Sequence, residues 1–140
     1  MGSKVFHQMV FHCVWSTKER HPFISEEVRE WVIGCVESEA RKRYGIVHAC
    51  NVMPDHVHLL VSLPPTVLMA TFIGQVKGAT AHAFHLYYGP VRFLKWQEGY
   101  GVVTLRKAEI GKVACYVQEQ QARHASHKLL RFLETTEEEE

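Results

Sequence analysis

Aspartate is nearly absent from this 140-residue chain, Asp55 being the single one. No cluster of acidic residues of the kind a carboxylate-built two-metal site uses is present, which argues against that chemistry. The four cysteines, Cys13, Cys35, Cys50 and Cys115, show no C-x-x-C spacing. A structural zinc is therefore not expected, and the cysteines read as small buried hydrophobes of a reduced, cytoplasmic protein. No G-x-x-x-x-G-K-[ST] loop occurs, and Gly99-x-Gly101 is too short for a dinucleotide fingerprint, so no nucleotide cofactor is expected. G-x-S-x-G and H-E-x-x-H are missing as well. No apolar run approaches the roughly 20 residues of a membrane-spanning helix. Met1-Gly2-Ser3-Lys4 lacks an apolar signal region, and Phe6 stands where a myristoylation signal needs Ser or Thr.

What is present is an ordinary globular balance, 46% hydrophobic and 22% charged, of a size that suits one domain. The formal net charge of +1 hides an uneven distribution. All 16 basic residues lie in residues 1–133 against ten acids, a net of +6, while Glu134 and Glu137–Glu140 form an acidic end. We expect one domain over 1–133 and a disordered acidic tail over 134–140. A mildly basic body permits nucleic-acid binding without demonstrating it. Ten histidines also stand out, and the question is which are placed for chemistry.

Val5 to Ser16 carries apolar residues on both faces and predicts a central strand. Ser25, Glu26 and Glu27 predict the start of a helix with Val28, Trp31, Val32, Cys35, Val36, Ala40 and Tyr44 on its buried stripe, closed by Gly45 at C′. Ile46–Met53 and His56–Leu63 predict two strands joined through Pro54-Asp55 as an antiparallel hairpin. Thr66 is placed to cap a second helix that Gly89-Pro90 ends. A fourth strand is expected around Val102–Leu105 and a last helix from about Ala108 to His127, with Ile110, Val113, Ala114 and Val117 inward. The order is β-α-β-β-α-β plus a helix. It predicts an α+β, ferredoxin-like (RRM-like) antiparallel sheet with helices on one face, leaving the other face for the C-terminal helix.

Strand alternation puts Val57, Leu59, Val61 and Leu63 on one face and His56, His58 and Leu60 on the other. Two imidazoles at i and i+2 can share one metal ion, or a strand can simply expose two histidines. Tyr116 and Gln120 are four residues apart and share a helix face. If that helix covers the histidine face, Gln120 can bring an amide oxygen to the ion and Tyr116 a phenol beside it. A solvated helix face with a Tyr at its border has the same pattern.

At these residues the chain resembles the HUH-type Y1 single-strand DNA transposases of the IS200/IS605 group. The resemblance runs from about Val5 to His124. It rests on Trp15-Ser16-Thr17-Lys18 with Arg20, on Met53-Pro54-Asp55-His56-Val57-His58-Leu59-Leu60-Val61, on Lys77-Gly78, on Trp96-Gln97-Glu98-Gly99-Tyr100-Gly101, and on Tyr116 with Gln120. Val102-Val103-Thr104 departs from the usual small-aromatic-Ser run, and Arg123-His124 stands where a histidine pair is frequent. The resemblance implies that His56, His58 and Gln120 hold Mg²⁺ or Mn²⁺ and that Tyr116 is the catalytic nucleophile. It implies attack on single-stranded DNA with hairpin ends, giving a 5′-phosphotyrosine and a free 3′-hydroxyl. It further implies a homodimer with active sites shared between chains.

That chemistry is consistent with the residue types. A cation on a phosphodiester oxygen offsets the repulsion met by an incoming phenolate. Imidazole and amide ligands leave the ion's double charge undiminished, and imidazoles favour Mn²⁺ over Mg²⁺, so an ion site that is weak without DNA is expected. Exchange of one phosphodiester for another needs no ATP. Lys18, Arg20, Lys77, Arg92 and Lys95 are the leading DNA-binding candidates, with Arg41, Lys42, Arg43, Arg106 and Lys107 behind them. Tyr100 and Trp96 are candidates to stack on bases, Trp96 equally a core aromatic. Three other readings stay open: a domesticated relative processing repeated hairpins, a non-catalytic nucleic-acid-binding module on the same sheet, and a zinc hydrolase using His56 and His58 with a histidine such as His12.

Overall fold

The computed structural model describes residues 7–120, 122 and 129–136. Strands β1 (Val10–Ser16), β2 (Ile46–Met53), β3 (His56–Ser62) and β4 (Gly101–Leu105) form one antiparallel sheet in the order β2-β3-β1-β4. Helices α1 (Glu26–Lys42) and α2 (Met69–Tyr88) are the two crossovers. Helix α3 (Ile110–Gln118) follows β4, and a single helical turn, α4 (Arg131–Glu134), comes after it. This is the expected α+β plan. Among the described residues no helix is long and apolar enough to cross a membrane.

Side-chain alternation divides the interior into two cores. Cys13, Trp15, Cys50, Val52, Val57, Leu59 and Val61 face α1 and α2, which contribute Val28, Val32, Val36, Phe72, Ile73, Val76 and Phe84. Val10, Ala49, Leu60 and Leu105 face the other way, onto Val113, Tyr116 and Val117 of α3 and Leu133 of α4. The sheet is thus covered on both sides, and the face that carries the histidines is closed by α3 and α4. Burial pushes the thiols of Cys13 and Cys50 up, so they stay neutral packing groups.

Local chemistry moves several predicted boundaries. Ser25 occupies the N-cap position of α1, but its hydroxyl caps no helix N–H and accepts from Arg92 Nη1 at 3.0 Å. At the other end Tyr44, not Gly45, takes the left-handed conformation, with φ 69°. Gly45 is needed for closeness instead, because a Cβ there would lie 2.9 Å from the Ala40 carbonyl oxygen and from Val61 Cγ2. Helix α2 begins at Met69 with Leu68 in the N-cap position, two residues beyond the predicted cap Thr66. Of the run predicted to His127, α3 ends at Gln118, Glu119 forms a turn, Gln120 and Ala122 are helical again, and residues 121 and 123–128, with Arg123-His124, lie outside the described residues.

Candidate active site

His56 opens β3, and its Nδ1 lies 2.7 Å from Asp55 Oδ1 in the turn that joins β2 to β3. Arg20 reaches the same Asp55 oxygen at 4.0 Å. Asp55 is held below the usual carboxylate range, first by its hydrogen bond with His56. With Nδ1–H donated to that carboxylate, His56 turns Nε2 toward the space between the sheet and α3. His58 is oriented in parallel fashion by β1: its Nδ1 lies 2.9 Å from His12 Nε2. Burial, then the neighbouring His58, pushes the His12 imidazole down to about 3, so it is neutral and able to accept a proton from His58 Nδ1. The only aspartate and a strand histidine thus set the tautomers of the pair. Rather than serving as a third ligand beside His56 and His58, His12 stands behind His58 as an orienting group.

Tyr116 is completely buried between Val113 and Val117, so this helix face is not solvated. Its ring centroid lies 6.1 Å from that of His58 in the same chain. The expected arrangement, with Tyr116 completing a partner's histidine pair, is not required by reach, because the set converges within one chain. The phenol oxygen accepts from the Leu130 backbone N–H at 2.9 Å and donates to Glu134 Oε2. Burial, then that carboxylate, pushes Tyr116 up to about 12. Gln120 is also fully buried, just beyond α3, and donates its side-chain amide to the Tyr116 carbonyl at 3.2 Å.

The residue that sequence reasoning set apart is Glu134. Its place at the head of an acidic run suggested a disordered tail, yet it ends α4 with Leu133 buried beside it. Its Oε1 lies 3.1 Å from His58 Nε2 and 3.5 Å from His56 Nε2. Burial opposes its ionisation, but the hydrogen bond and charge of His58, with Tyr116, outweigh that and hold it at about 2. Glu137–Glu140 lie outside the described residues. One ligand atom each from His56, His58 and Glu134 falls within 4.8 Å of the others. Two imidazole nitrogens and a carboxylate oxygen at that spacing fit a divalent ion of the Mn²⁺ type.

Asn51 was also unforeseen. It donates to the carbonyls of Val117 and Gln118, at 3.0 and 3.2 Å, and accepts from Arg29 of α1. The C-terminal end of α3, between Tyr116 and Gln120, is tied to the edge of β2 in this way. Only a polar residue alternating into an apolar strand marked it in the sequence.

The DNA-binding candidates fall into two groups. Thr17 bridges Trp96, Lys18 N–H donates to the Lys95 carbonyl, and Thr17 N–H donates to the Asp55 carbonyl. Lys18, Arg20 and Lys95 therefore gather at the end of the sheet where His56 begins. Lys77 instead donates Nζ to the carbonyls of Gln97 and Gly99, at 2.8 and 2.9 Å, and burial pushes it down. Arg92 pairs with Glu27 and Ser25, and Tyr100 packs against the core. These three hold the protein's own loops. Trp96 stands edge-on to Trp15 and donates its indole N–H to the Lys77 carbonyl.

The family described as "Transposase IS200 like" matches residues 5–120. The chain belongs to the IS200-like transposase family. It is 27% identical over 124 residues to the ISDra2 transposase TnpA of Deinococcus radiodurans, covering 85% of this chain and 89% of that one. The transposase for insertion sequence element IS200 of Salmonella typhimurium is 24% identical over 115 residues, 79% of this chain and 75% of its own. A crystal structure described as a transposase from Deinococcus radiodurans R1 superposes with TM-score 0.68 at 26% identity, covering 86% of this chain and 96% of that one. The fold is also that of a REP-associated tyrosine transposase bound to a REP hairpin, with TM-score 0.61 at 17% identity over 89% and 74% of the two chains. The IS200-like match ends at Gln120 and stops short of α4, so Glu134 lies outside it.

Proposed function

We propose that this IS200-like transposase cleaves and rejoins single-stranded DNA through a covalent bond to Tyr116, at hairpin-bearing ends. The observation that carries this is the convergence of Tyr116 on the His56–His58 pair in one enclosed site. The Tyr116 oxygen bonds to a DNA phosphorus as the bond to the 3′ oxygen breaks. The phenol proton is lost and the 3′ oxygen leaves as a hydroxyl. A 5′-phosphotyrosine remains, and attack by another 3′-hydroxyl reverses the step, so the number of phosphodiester links is conserved.

His56, His58 and, in the DNA-bound state, Gln120 are proposed to hold Mg²⁺ or Mn²⁺. When bound, the ion supplies charge stabilisation and orientation for the phosphate. Asp55 and His12 keep the two Nε2 atoms pointed inward. Lys18, Arg20 and Lys95 lie where a strand entering past His56 would present its phosphates. Joining two ends requires two tyrosines, which a homodimer supplies. The phenol must lose its proton on attack, so the site has to stabilise the phenolate as DNA binds.

The test is incubation with Mn²⁺ and a single-stranded oligonucleotide bearing a hairpin and flank from the ends of the element that encodes the protein. A covalent protein–DNA species is expected, absent in Tyr116→Phe. His56→Ala should cut adduct formation at least 100-fold while hairpin binding persists. Cleavage by Tyr116→Phe at the wild-type rate would refute the assignment. Hairpin binding without any adduct would point to the non-catalytic binding module.

A further inference from the structure

We propose that Glu134, from the C-terminal turn α4, is the third protein ligand of the divalent ion when no DNA is bound. The inference rests on the ion-binding reading of His56 and His58 and adds a residue outside the matched IS200-like region. Its Oε1 faces both histidine Nε2 atoms, at 3.1 and 3.5 Å, and the three ligand atoms lie within 4.8 Å of one another.

The carboxylate is anchored in place. Leu133 is buried in the core under α4, and the Leu130 N–H is donated to the Tyr116 oxygen. Thr135 O packs so closely on Gly101 that an added Cβ would fall 1.8 Å from it. The segment that carries Glu134 is held by three separate contacts, from α3, β4 and the core between them. The Gln120 side-chain N–H is donated to the Tyr116 carbonyl, which ties that amide to the backbone of α3.

The donor set explains what the carboxylate adds. Two neutral imidazoles bind Mn²⁺ or Mg²⁺ weakly, whereas an anionic oxygen is the ligand both ions prefer. The other oxygen, Oε2, accepts the Tyr116 O–H, so one side chain joins the ion site to the nucleophile. A scissile phosphate brings anionic oxygens to the same two places. Glu134 therefore acts as ligand in the DNA-free protein and gives way to the phosphate when DNA binds.

The full chain is titrated with Mn²⁺ without DNA, free ion being read by electron paramagnetic resonance. Glu134→Gln is expected to weaken Mn²⁺ binding tenfold or more, and the deficit should shrink when a hairpin oligonucleotide is bound. A loss smaller than tenfold without DNA overturns the proposal. In Glu134→Cys, Co²⁺ should give a thiolate-to-cobalt charge-transfer band in the near ultraviolet that wild type, with its exposed Cys115, lacks. The band should vanish when His58→Ala is added. Co²⁺ binding without the band also overturns the proposal. If His56→Ala loses Mn²⁺ while Glu134→Gln keeps it, the ion site stands and only the role of Glu134 fails. If wild type binds no Mn²⁺, with or without DNA, the ion site itself fails.

Discussion

His12 Nε2 lies 2.9 Å from His58 Nδ1, across two neighbouring strands. In the antiparallel register His12 is opposite Leu60 and His58 opposite Val14, so the two histidines are diagonal neighbours on one sheet face. With an ion on His58 Nε2, the ring proton must sit on Nδ1, and the neutral His12 is the acceptor that faces it. His12→Ala is expected to reduce Mn²⁺ affinity about 10- to 100-fold, in the range known for groups that orient metal ligands. His12→Gln should recover part of it by offering an amide oxygen. Mn²⁺ titration of the two variants, with circular dichroism to verify the fold, measures both.

Asn51 ties the end of α3 to β2 through the Val117 and Gln118 carbonyls. Asn51→Asp should be worse than Asn51→Ala, since it removes the donor and sets a negative charge against two carbonyl oxygens at a helix C-terminus. We expect losses of about 1–3 kcal/mol for Ala and more for Asp, read by urea denaturation.

Gly101 faces the backbone of Thr135, with the carbonyl oxygen 1.8 Å and the carbonyl carbon 2.9 Å from where a Cβ would stand. Gly101→Ala should push the C-terminal segment off β4 while leaving the core against α1 and α2 intact. Faster protease cleavage near residues 129–136, and an overall loss of about 1–3 kcal/mol from overpacking, are expected. Limited proteolysis with mass spectrometry locates the cut.

Glu39 of α1 is held below its ordinary value, chiefly by hydrogen bonds from Arg43 and Lys42, at 2.7 and 3.0 Å. A carboxyl with a depressed folded pKa contributes stability above its unfolded pKa and loses it as pH falls through the folded one. The stability difference between wild type and Glu39→Gln should be full at pH 7 and shrink below about pH 4.5. Urea midpoints of both proteins at several pH values give that difference directly.

Period and punctuation made the framework legible. The residue ranges of β2 and most of β3, the identity of both crossover helices and the sheet plan follow from alternation, helical spacing and turn residues. H-x-H on a strand and Y-x-x-x-Q on a helix fix relative directions locally, and the resemblance to the IS200/IS605 group is what singled out Tyr116, His56 and His58 for chemistry. Helix ends were less legible, because Ser25 met Arg92 from a distant loop and Tyr44 accepted a conformation usually left to glycine.

Lys77 shows why a basic residue's role is hard to assign from its neighbours in sequence. Its ammonium is surrounded by carbonyls some twenty residues away, and nothing in Lys77-Gly78 announces them. Glu134 shows the same for an acid. Four further glutamates follow it after Thr135-Thr136, but Leu133 docks in a core made by strands and α3, and that docking carries the carboxylate inward.

By itself the sequence determined which side chains share a face: strand and helix geometry put His56 beside His58 and Tyr116 one turn from Gln120. Tertiary structure alone decided which faces meet. Pairing of β1 with β3 set His12 behind His58, and folding α3 and α4 onto the histidine side of the sheet joined Asn51 to the end of α3 and brought Glu134 to the site, because contacts between residues far apart in the chain depend on packing and not on local period.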